Sequence, residues 1–208
     1  MAQTYKLYYA WGACSLASHI MLIEAEVPFT IEAVNLQTEK TASGRDYYEI
    51  NPRGAVPALE IIDEVLTQND AILPYIGDLS DIPAFCPVQG SMRRARVDEA
   101  IGFCGDIHSA YAAFFTFGKV KGEVGERAMA GLKKRMRQLE AWLPEGTYWL
   151  GPFTQADAYA AVLISWAPGV GLDMKDYPKA QALKERVWAR PSTKKALAQE
   201  EAQRNKAG

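Results

Sequence analysis

The hydrophobic pattern divides the chain into two halves of different character. Up to about residue 79, short β-type runs alternate with helical ones. Strands are expected at residues 5–9, 29–36, 56–62 and 65–67, and helices at 15–26 and 69–79, with a polar stretch at 37–46, a turn or short helix at 47–50 and a hairpin turn at Asp63-Glu64. The order β-α-β followed by β-β-α is typical of an α/β unit with parallel and antiparallel strands.

The second half is almost entirely helical. A segment with Pro83, Pro87 and Gly90 and no clear periodicity separates it from the first. Apolar residues then recur at three- and four-residue spacing, which is typical of buried helical stripes. Helices are expected at residues 91–117, 123–143, 154–165, 178–189 and 192–202. We therefore predict an α/β domain at 1–79, a linker at 80–90 and an all-α domain at 91–208.

One helix start is signalled with particular strength. Thr154 supplies a hydroxyl at the N-cap position and Asp157 a carboxylate three residues later, a close relative of the capping box. Small and apolar residues follow directly. The pattern predicts a structural role, in starting a buried helix.

Composition and charge narrow the function classes. The 208 residues are 49% hydrophobic and 23% charged, with a formal net charge of -2, so there is no electrostatic footprint for nucleic acid. No apolar run approaches the roughly 20 residues of a membrane span, and no signal segment is recognised. Three widely spaced cysteines favour a reducing compartment. We expect a cytoplasmic protein with no membrane or nucleic-acid partner.

Cys14 is the most informative candidate for chemistry. It lies where a predicted strand turns into the first turn of a helix, and there unpaired N–H groups and the helix dipole favour a thiolate. The alternative is a buried structural cysteine. A dithiol motif would need a second cysteine at position 17, which is Ala17. The site is therefore expected to be a reactive monothiol.

The first long helix contains a cysteine and a histidine, two residues of metal-ligating type. Cys104 and His108 have the i, i+4 spacing that places both on one helix face. Two ligands without a second pair at conventional spacing are too few for a stable site. We predict no bound metal.

Several segments, in order, resemble the cytosolic glutathione transferases, and in detail the bacterial beta class. The sequence YYAWGACSLASHI at 8–20 is similar to that class's catalytic-cysteine segment, and NPRGAVPAL at 51–59 to its glutathione-cradling loop. LTQNDAI at 66–72 with YIGD at 75–78 resembles the segment that holds the γ-glutamyl end. FTQADAY at 153–159 resembles the family's helix-capping signature. The resemblance runs from about Tyr5 to Lys195.

This resemblance implies both an architecture and an activity. A thioredoxin-like α/β domain would bind glutathione, and the all-α domain would shape the pocket for a small apolar electrophile. Glutathione thiolate would be conjugated to that electrophile, or a substrate would be reduced through a mixed disulfide at Cys14 that a second glutathione resolves. Family members are homodimers, and Arg93 and Asp106 are candidate interface residues.

The resemblance also implies a set of site residues. Cys14 and His108 would be catalytic, and glutathione would be bound by Tyr9, Ser15, Lys40, Val56, Pro57, Gln68, Asn69 and Asp70. The Val56-Pro57 bond is expected to be cis, which presents the N–H and C=O of Val56 to a peptide ligand.

Some of these assignments have structural alternatives. Asn69 could cap a helix, Ser15 could cap the first helix, and Lys40 could be a solvated surface lysine, since Glu39 holds the class's matching position. Gln68 stands where the class usually has glutamate, so Asp70 would have to supply the carboxylate for the ligand's ammonium group.

His108 would approach the ligand from the helical domain, where it could donate a hydrogen bond or transfer a proton. Its alternative is a histidine satisfied at the interface of the two domains. His19, inside the first helix, is expected to pack and hydrogen-bond. The cleft for the apolar co-substrate would be lined by aromatic residues that could equally be core: Tyr111, Phe114, Phe115, Phe117 and Trp166.

A rival hypothesis is a non-catalytic protein of the same fold that binds a partner. This hypothesis is supported by the residues that depart from the class pattern. They are Gln68 and Asn69, Ser109 in place of a frequent lysine, and Trp11 in place of a usual proline. The presence of Cys14 together with His108 and Val56-Pro57 favours the enzyme.

Overall fold

A five-stranded mixed sheet forms the first half of the protein. The computed structural model describes residues 4–117 and 122–204. The strands are β1 (Tyr5–Tyr9), β2 (Phe29–Asn35), β3 (Lys40–Thr41), β4 (Ala58–Ile61) and β5 (Glu64–Thr67), in the sheet order β3-β2-β1-β4-β5. β1 runs parallel to β2, and the other neighbouring pairs are antiparallel. The predicted α/β domain with strands of both directions is confirmed.

Helices make up most of the regular structure in the rest of the described chain. They are α1 (Ser15–Glu24), α2 (Asn69–Asp78), α3 (Met92–Phe117), α4 (Gly122–Trp142), α5 (Gln155–Trp166), α6 (Pro178–Trp188) and α7 (Pro191–Arg204), with short 3-10 turns at Tyr47–Glu49 and Ala167–Val170. None of the helices within the described ranges is long and apolar enough to cross a bilayer. The predicted linker falls in the helix-free stretch between α2 and α3. The domain bounds 1–79 and 91–208 stay a prediction.

β1 lies at the centre of the sheet because both of its faces are apolar. Leu7 and Tyr9 contribute to a large core shared with α1, α2 and the helical domain, whereas Tyr8 points to the opposite face. There it packs with Tyr47, Val56 and other residues in a smaller cluster. Alternation of side chains along a strand produces this division. The strand therefore ends, just before Cys14, between two cores.

The differences from the predicted elements are local. β3 lies in the stretch predicted as a polar loop, because its pairing with β2 relies on backbone hydrogen bonds and not on an apolar pattern. The hairpin turn between β4 and β5 centres on Ile62 and Asp63, one residue before the expected position, and Ile62 has a φ of +57°. α2 continues through Pro74.

The predicted capping box is confirmed at the start of α5. The buried carboxylate of Asp157 accepts hydrogen bonds from the backbone N–H of Thr154 (2.8 Å), from the Thr154 hydroxyl (2.9 Å) and from the N–H of Trp149 (2.7 Å). These contacts satisfy donors at the helix N-terminus and in the preceding loop. They fix α5, the most buried helix of the second half, in place.

The last helix closes back onto the first domain. The Arg190 guanidinium makes two hydrogen bonds with the Glu24 carboxylate (2.7 and 2.8 Å), and Ser192 also donates to Glu24. Further along α7, the Gln203 amide donates to the Ile31 carbonyl on β2 (3.2 Å). α7 thus packs on α1 and β2, although it follows all the other helices in the sequence.

Candidate active site

A cavity of about 1290 Å³ lies between the α/β domain and the helical domain. From the α/β side it is lined by the loop that leads into α1, by Leu36 and by the segment before β4. From the helical side it is lined by parts of α3 and α4 and by the end of α5 with the turn that follows. The lining side chains include Trp11, Cys14, Val56, His108, Phe114, Phe115, Met129 and Trp166.

Cys14 lies immediately before α1, as predicted, but its thiol is not a thiolate in this structure. The side chain is buried, and Sγ donates to the Val56 carbonyl oxygen at 3.2 Å. Burial raises the pKa of Cys14 to about 12, and hydrogen bonds from the N–H groups of Cys14 and Ser15 lower it by less. The helix N-terminus acts in the expected direction, but desolvation outweighs it. The expected low pKa is therefore wrong for the ligand-free protein.

The segment opposite Cys14 has the expected backbone. The Val56-Pro57 peptide bond is cis, as predicted, and Val56 lines the cavity. Its carbonyl oxygen accepts a hydrogen bond from the Cys14 thiol in the ligand-free protein. A peptide ligand at Val56 would compete with the thiol for it.

Two residues expected to bind glutathione instead hold the cysteine loop. The Asn69 amide donates to the Cys14 carbonyl (3.0 Å) and accepts from the Ser18 hydroxyl (2.7 Å). The Ser15 hydroxyl is within hydrogen-bond distance of the Ala10 N–H (3.2 Å) and C=O (3.4 Å). Both side chains are buried and have partners inside the chain. Contrary to the structural alternatives, neither side chain caps a helix, because the N-cap positions of α1 and α2 are Cys14 and Gln68 and neither makes a side-chain cap hydrogen bond. Asn69 joins α2 to the start of α1.

Gln68 and Asp70 remain open to a ligand. Both are exposed at the start of α2 but lie outside the cavity wall, and Gln68 has a φ of +73°. Burial and the negative charge of Asp106 raise the pKa of Asp70. Asp106 in turn forms an ion pair with Arg135 at 3.4 Å. The two carboxylates make this end of α2 a suitable place for an ammonium group.

Tyr9 and Lys40 are not brought to the cavity. The Tyr9 hydroxyl points to α7, where its hydrogen-bond acceptors are the Glu200 carbonyl (3.4 Å) and the Gln203 amide oxygen (3.3 Å). Lys40 is exposed on β3, the edge strand of the sheet. Neither belongs to the cavity wall. The resemblance located them by sequence position, but side-chain direction and sheet pairing decide their surroundings.

His108 reaches the cavity from α3. Its Nδ1 lies 2.8 Å from the Tyr159 hydroxyl, and its ring packs edge-on against Trp166 at a centroid distance of 5.2 Å. Burial lowers the pKa of His108, so the neutral imidazole predominates near pH 7. Tyr159 was not singled out from the sequence. Its position in FTQADAY was the available signal, because that motif starts the helix carrying it.

The helical wall of the cavity is aromatic. Phe114, Phe115 and Trp166 line it, and Trp166 lies 5.0 Å from Phe115 between ring centroids. The indole N–H of Trp166 donates to the Gly12 carbonyl at 2.8 Å, which ties this wall to the cysteine loop. Tyr111 is fully buried behind Trp166 and does not line the cavity. The Phe117 side chain lies outside what the structure describes.

His19 has the structural surroundings that the sequence indicated. It is fully buried, with Nδ1 3.0 Å from a Glu200 carboxylate oxygen and Nε2 2.9 Å from the Gln199 amide oxygen. These contacts connect α1 to α7. Within the described residues, no group of three or more histidine, cysteine, aspartate or glutamate side chains is arranged to hold a metal ion.

This architecture and cavity agree with the family matches. The model of the glutathione S-transferase N-terminal domain matches residues 3–78, and that of the C-terminal domain matches residues 104–191. Together they cover more than half of the chain. The chain belongs to the glutathione S-transferase family, as the sequence resemblance indicated.

Individual relatives are similar over nearly the full length. Glutathione S-transferase GstA of Escherichia coli O157:H7 is 32% identical over 198 residues, which are 94% of this chain and 98% of that protein. A bacterial beta-class glutathione S-transferase of Sphingomonas chungbukensis is 37% identical with a TM-score of 0.85, over 94% of this chain and 98% of that one. A sphingomonad enzyme complexed with glutathione is 36% identical with a TM-score of 0.86, at the same coverage. The beta-class likeness is thus shown.

Proposed function

We propose that this protein conjugates glutathione to small apolar electrophiles in the cavity between its two domains. The observation that carries the proposal is that Cys14 and His108 face one cavity with an aromatic wall. Glutathione as the co-substrate is supported by family membership and by the related sphingomonad protein complexed with it. A cytoplasmic location, supported by three cysteines without disulfides, is proposed with it.

Conjugation suits the protonation state of Cys14. A thiol that keeps its proton is a poor nucleophile but can donate a hydrogen bond. In the proposed step the glutathione thiol loses its proton to solvent, and its sulfur forms a bond to an electrophilic carbon. The leaving group departs with the electron pair of the broken bond. The S–H of Cys14 and the imidazole of His108 would stabilise the thiolate before attack.

Glutathione would be held mainly by groups of the α/β domain. The backbone of Val56, preceding the cis bond to Pro57, would pair with the peptide in competition with the Cys14 thiol. Gln68 and Asp70 would meet the ammonium end of the γ-glutamyl group. Asn69 and Ser15 are proposed to act indirectly, by fixing the loop that carries Cys14.

The electrophile would occupy the aromatic side of the cavity. Phe114, Phe115, Trp166 and Met129 offer a wall without a formal charge, which favours a flat, uncharged molecule. The residues of this chain would exclude water and orient the ring, and the sulfur would come from glutathione.

A homodimer is the proposed assembly. Exposed apolar side chains occur on the β4–β5 hairpin, in the segment between α2 and α3 and at the start of α3: Ile62, Val65, Leu79, Val88 and Met92. Exposed apolar residues that form one contiguous patch commonly mark an interface, so these side chains are candidates for the dimer contact. Light scattering after size exclusion is expected to give twice the chain mass of 23.0 kDa. A mass of one chain at micromolar concentration would contradict this proposal.

Two substitutions at Cys14 test the function. Turnover of glutathione with a nitro-activated aromatic chloride is expected in the wild type. Cys14→Ala should lower kcat/KM at least about tenfold, because the sulfur of glutathione loses a donor, whereas Cys14→Ser keeps a hydroxyl donor and should retain activity within about threefold. Cys86→Ser, outside the cavity wall, is the control and should change nothing.

The other outcomes identify the rival functions. An inactive Cys14→Ser beside an active wild type would indicate chemistry through a mixed disulfide at Cys14 and would contradict the proposed role of its thiol. A wild type that neither turns over the electrophile nor elutes specifically from immobilised glutathione would indicate a non-catalytic, partner-binding protein.

A further inference from the structure

Tyr159 joins the helical domain to the active-site histidine. It lies on α5 with its side chain 3% exposed, and its hydroxyl oxygen is 2.8 Å from Nδ1 of His108. The two rings are nearly perpendicular, with an interplanar angle of 89°. The imidazole is therefore held by one of its two nitrogens, and the nitrogen left for the cavity is Nε2.

The direction of this hydrogen bond follows from the surrounding groups. Burial raises the pKa of the Tyr159 hydroxyl far above its ordinary value, and the neighbouring Cys14, Cys104 and Asp70 add to the effect. Tyr159 therefore keeps its proton, while His108 is neutral near pH 7. A neutral imidazole carries its proton on one nitrogen only.

The groups around the Tyr159 hydroxyl indicate which nitrogen carries that proton. The amide orientation of Asn69 is fixed, because the NH₂ group donates to the Cys14 carbonyl and the oxygen accepts from Ser18. Asn69 lowers the pKa of Tyr159, which is the effect of a donor near the phenol oxygen. Among the described residues the Tyr159 hydroxyl makes one hydrogen bond, to Nδ1 of His108, so Nδ1 as the acceptor is the arrangement that leaves this buried hydroxyl proton with a partner.

We propose that Tyr159 is a positioning residue that holds His108 as the Nε2–H tautomer, so that the imidazole presents an N–H donor to the cavity. The inference rests on the proposed function for its purpose, since the sulfur of glutathione is the group that this donor would stabilise. Tyr159 itself touches neither substrate. Asn69, which lowers the pKa of Tyr159, also donates to the carbonyl of Cys14.

The tautomer can be measured without any activity. The chain has two histidines, so a ¹⁵N-histidine-labelled full-length protein gives four ring-nitrogen signals at neutral pH, and a His108→Asn variant assigns those of His108. The wild type is expected to show a protonated Nε2 and an unprotonated Nδ1 at His108. An Nδ1–H tautomer or an imidazolium at pH 7 would overturn the inference, and this readout needs no substitution of Tyr159.

Two tyrosine-to-phenylalanine variants separate positioning from packing. Tyr159→Phe removes the hydroxyl that bonds Nδ1, so the His108 signals should move to averaged values of the two tautomers while those of His19 stay fixed. Tyr111→Phe is the matched control. Tyr111 is also buried and packs against Trp166, and its hydroxyl has no hydrogen-bond partner among the described residues. Its removal should leave the His108 tautomer unchanged.

Kinetics add a second readout. Tyr159→Phe should lower kcat about fivefold or more with the KM for glutathione within twofold, because the lost donor acts on the developing thiolate and not on tripeptide binding. An unchanged His108 tautomer in Tyr159→Phe would overturn the inference. The expected tautomers in a protein without turnover would support it and would count only against the proposed conjugation.

Discussion

Alkylation of Cys14 in the ligand-free protein is expected to be at least about a hundredfold slower at pH 7 than alkylation of free cysteine. With a pKa of about 12, the thiolate fraction at pH 7 is about three and a half orders of magnitude below that of a thiol with the ordinary value of about 8.5. The more basic thiolate is also the stronger nucleophile, which raises the alkylation rate by about one and a half orders of magnitude. Burial of the side chain slows reagent access further.

The pH profile gives the sign of the effect. Because the thiolate is the reacting form, the rate should rise about tenfold per pH unit from pH 7 to pH 10 without a plateau. Mass spectrometry of the peptide that contains Cys14 measures it, and the Cys86 peptide in the same digest controls for reagent activity. A plateau between pH 6 and pH 8 would show that the start of α1 outweighs burial, and it would restore the thiolate expected from the sequence.

A single methyl group at Gly77 is expected to destabilise the fold by about 3 kcal/mol or more. Gly77 lies on α2 against the following segment, where the Gln155 amide donates to the Phe85 carbonyl at 2.8 Å. A Cβ at Gly77 would overlap both of these groups. Gly77→Ala must therefore displace α2 or break that hydrogen bond, and overpacking adds to the loss. Thermal unfolding should shift down by about 6–12 °C.

Gly102→Ala is the matched control. Gly102 is an exposed helical glycine on α3, and a Cβ there meets no other atom within 4 Å. The same substitution should stabilise the protein by about 0.5–1 kcal/mol, since alanine has the higher helix propensity. If Gly77→Ala were as stable as Gly102→Ala, the close packing between α2 and the start of α5 would be incorrect.

Much of the fold could be predicted because its signals are local. The alternation in β1 and the hydroxyl–carboxylate pair at Thr154 and Asp157 each determine the structure of their own segment. The position of Cys14 before α1 follows in the same way, from a strand and an amphipathic stretch on either side of Gly12. The cis bond at Val56-Pro57 came from the resemblance.

The parts that could not be predicted depend on distant residues. The pKa of Cys14 is set by burial between two domains, which no pattern around position 14 reports. The hydrogen bonds of Asn69 with Ser18 and the Cys14 carbonyl could not be predicted, because they require α1 and α2 to be packed together. Tyr159 is 51 residues from His108 in the sequence, so their hydrogen bond depends on the packing of α5 against α3.

The return of α7 to the first domain limits how far the two family domains can be treated as modules. His19, Glu24 and Tyr9 find hydrogen-bond partners on or just before α7, at the opposite end of the chain. A fragment that stopped after α2 would leave these polar groups in an apolar surface without their partners. A chimera that exchanged the helical domain would have to carry α7 with the sheet, so the natural exchange unit is the α/β domain together with the last helix.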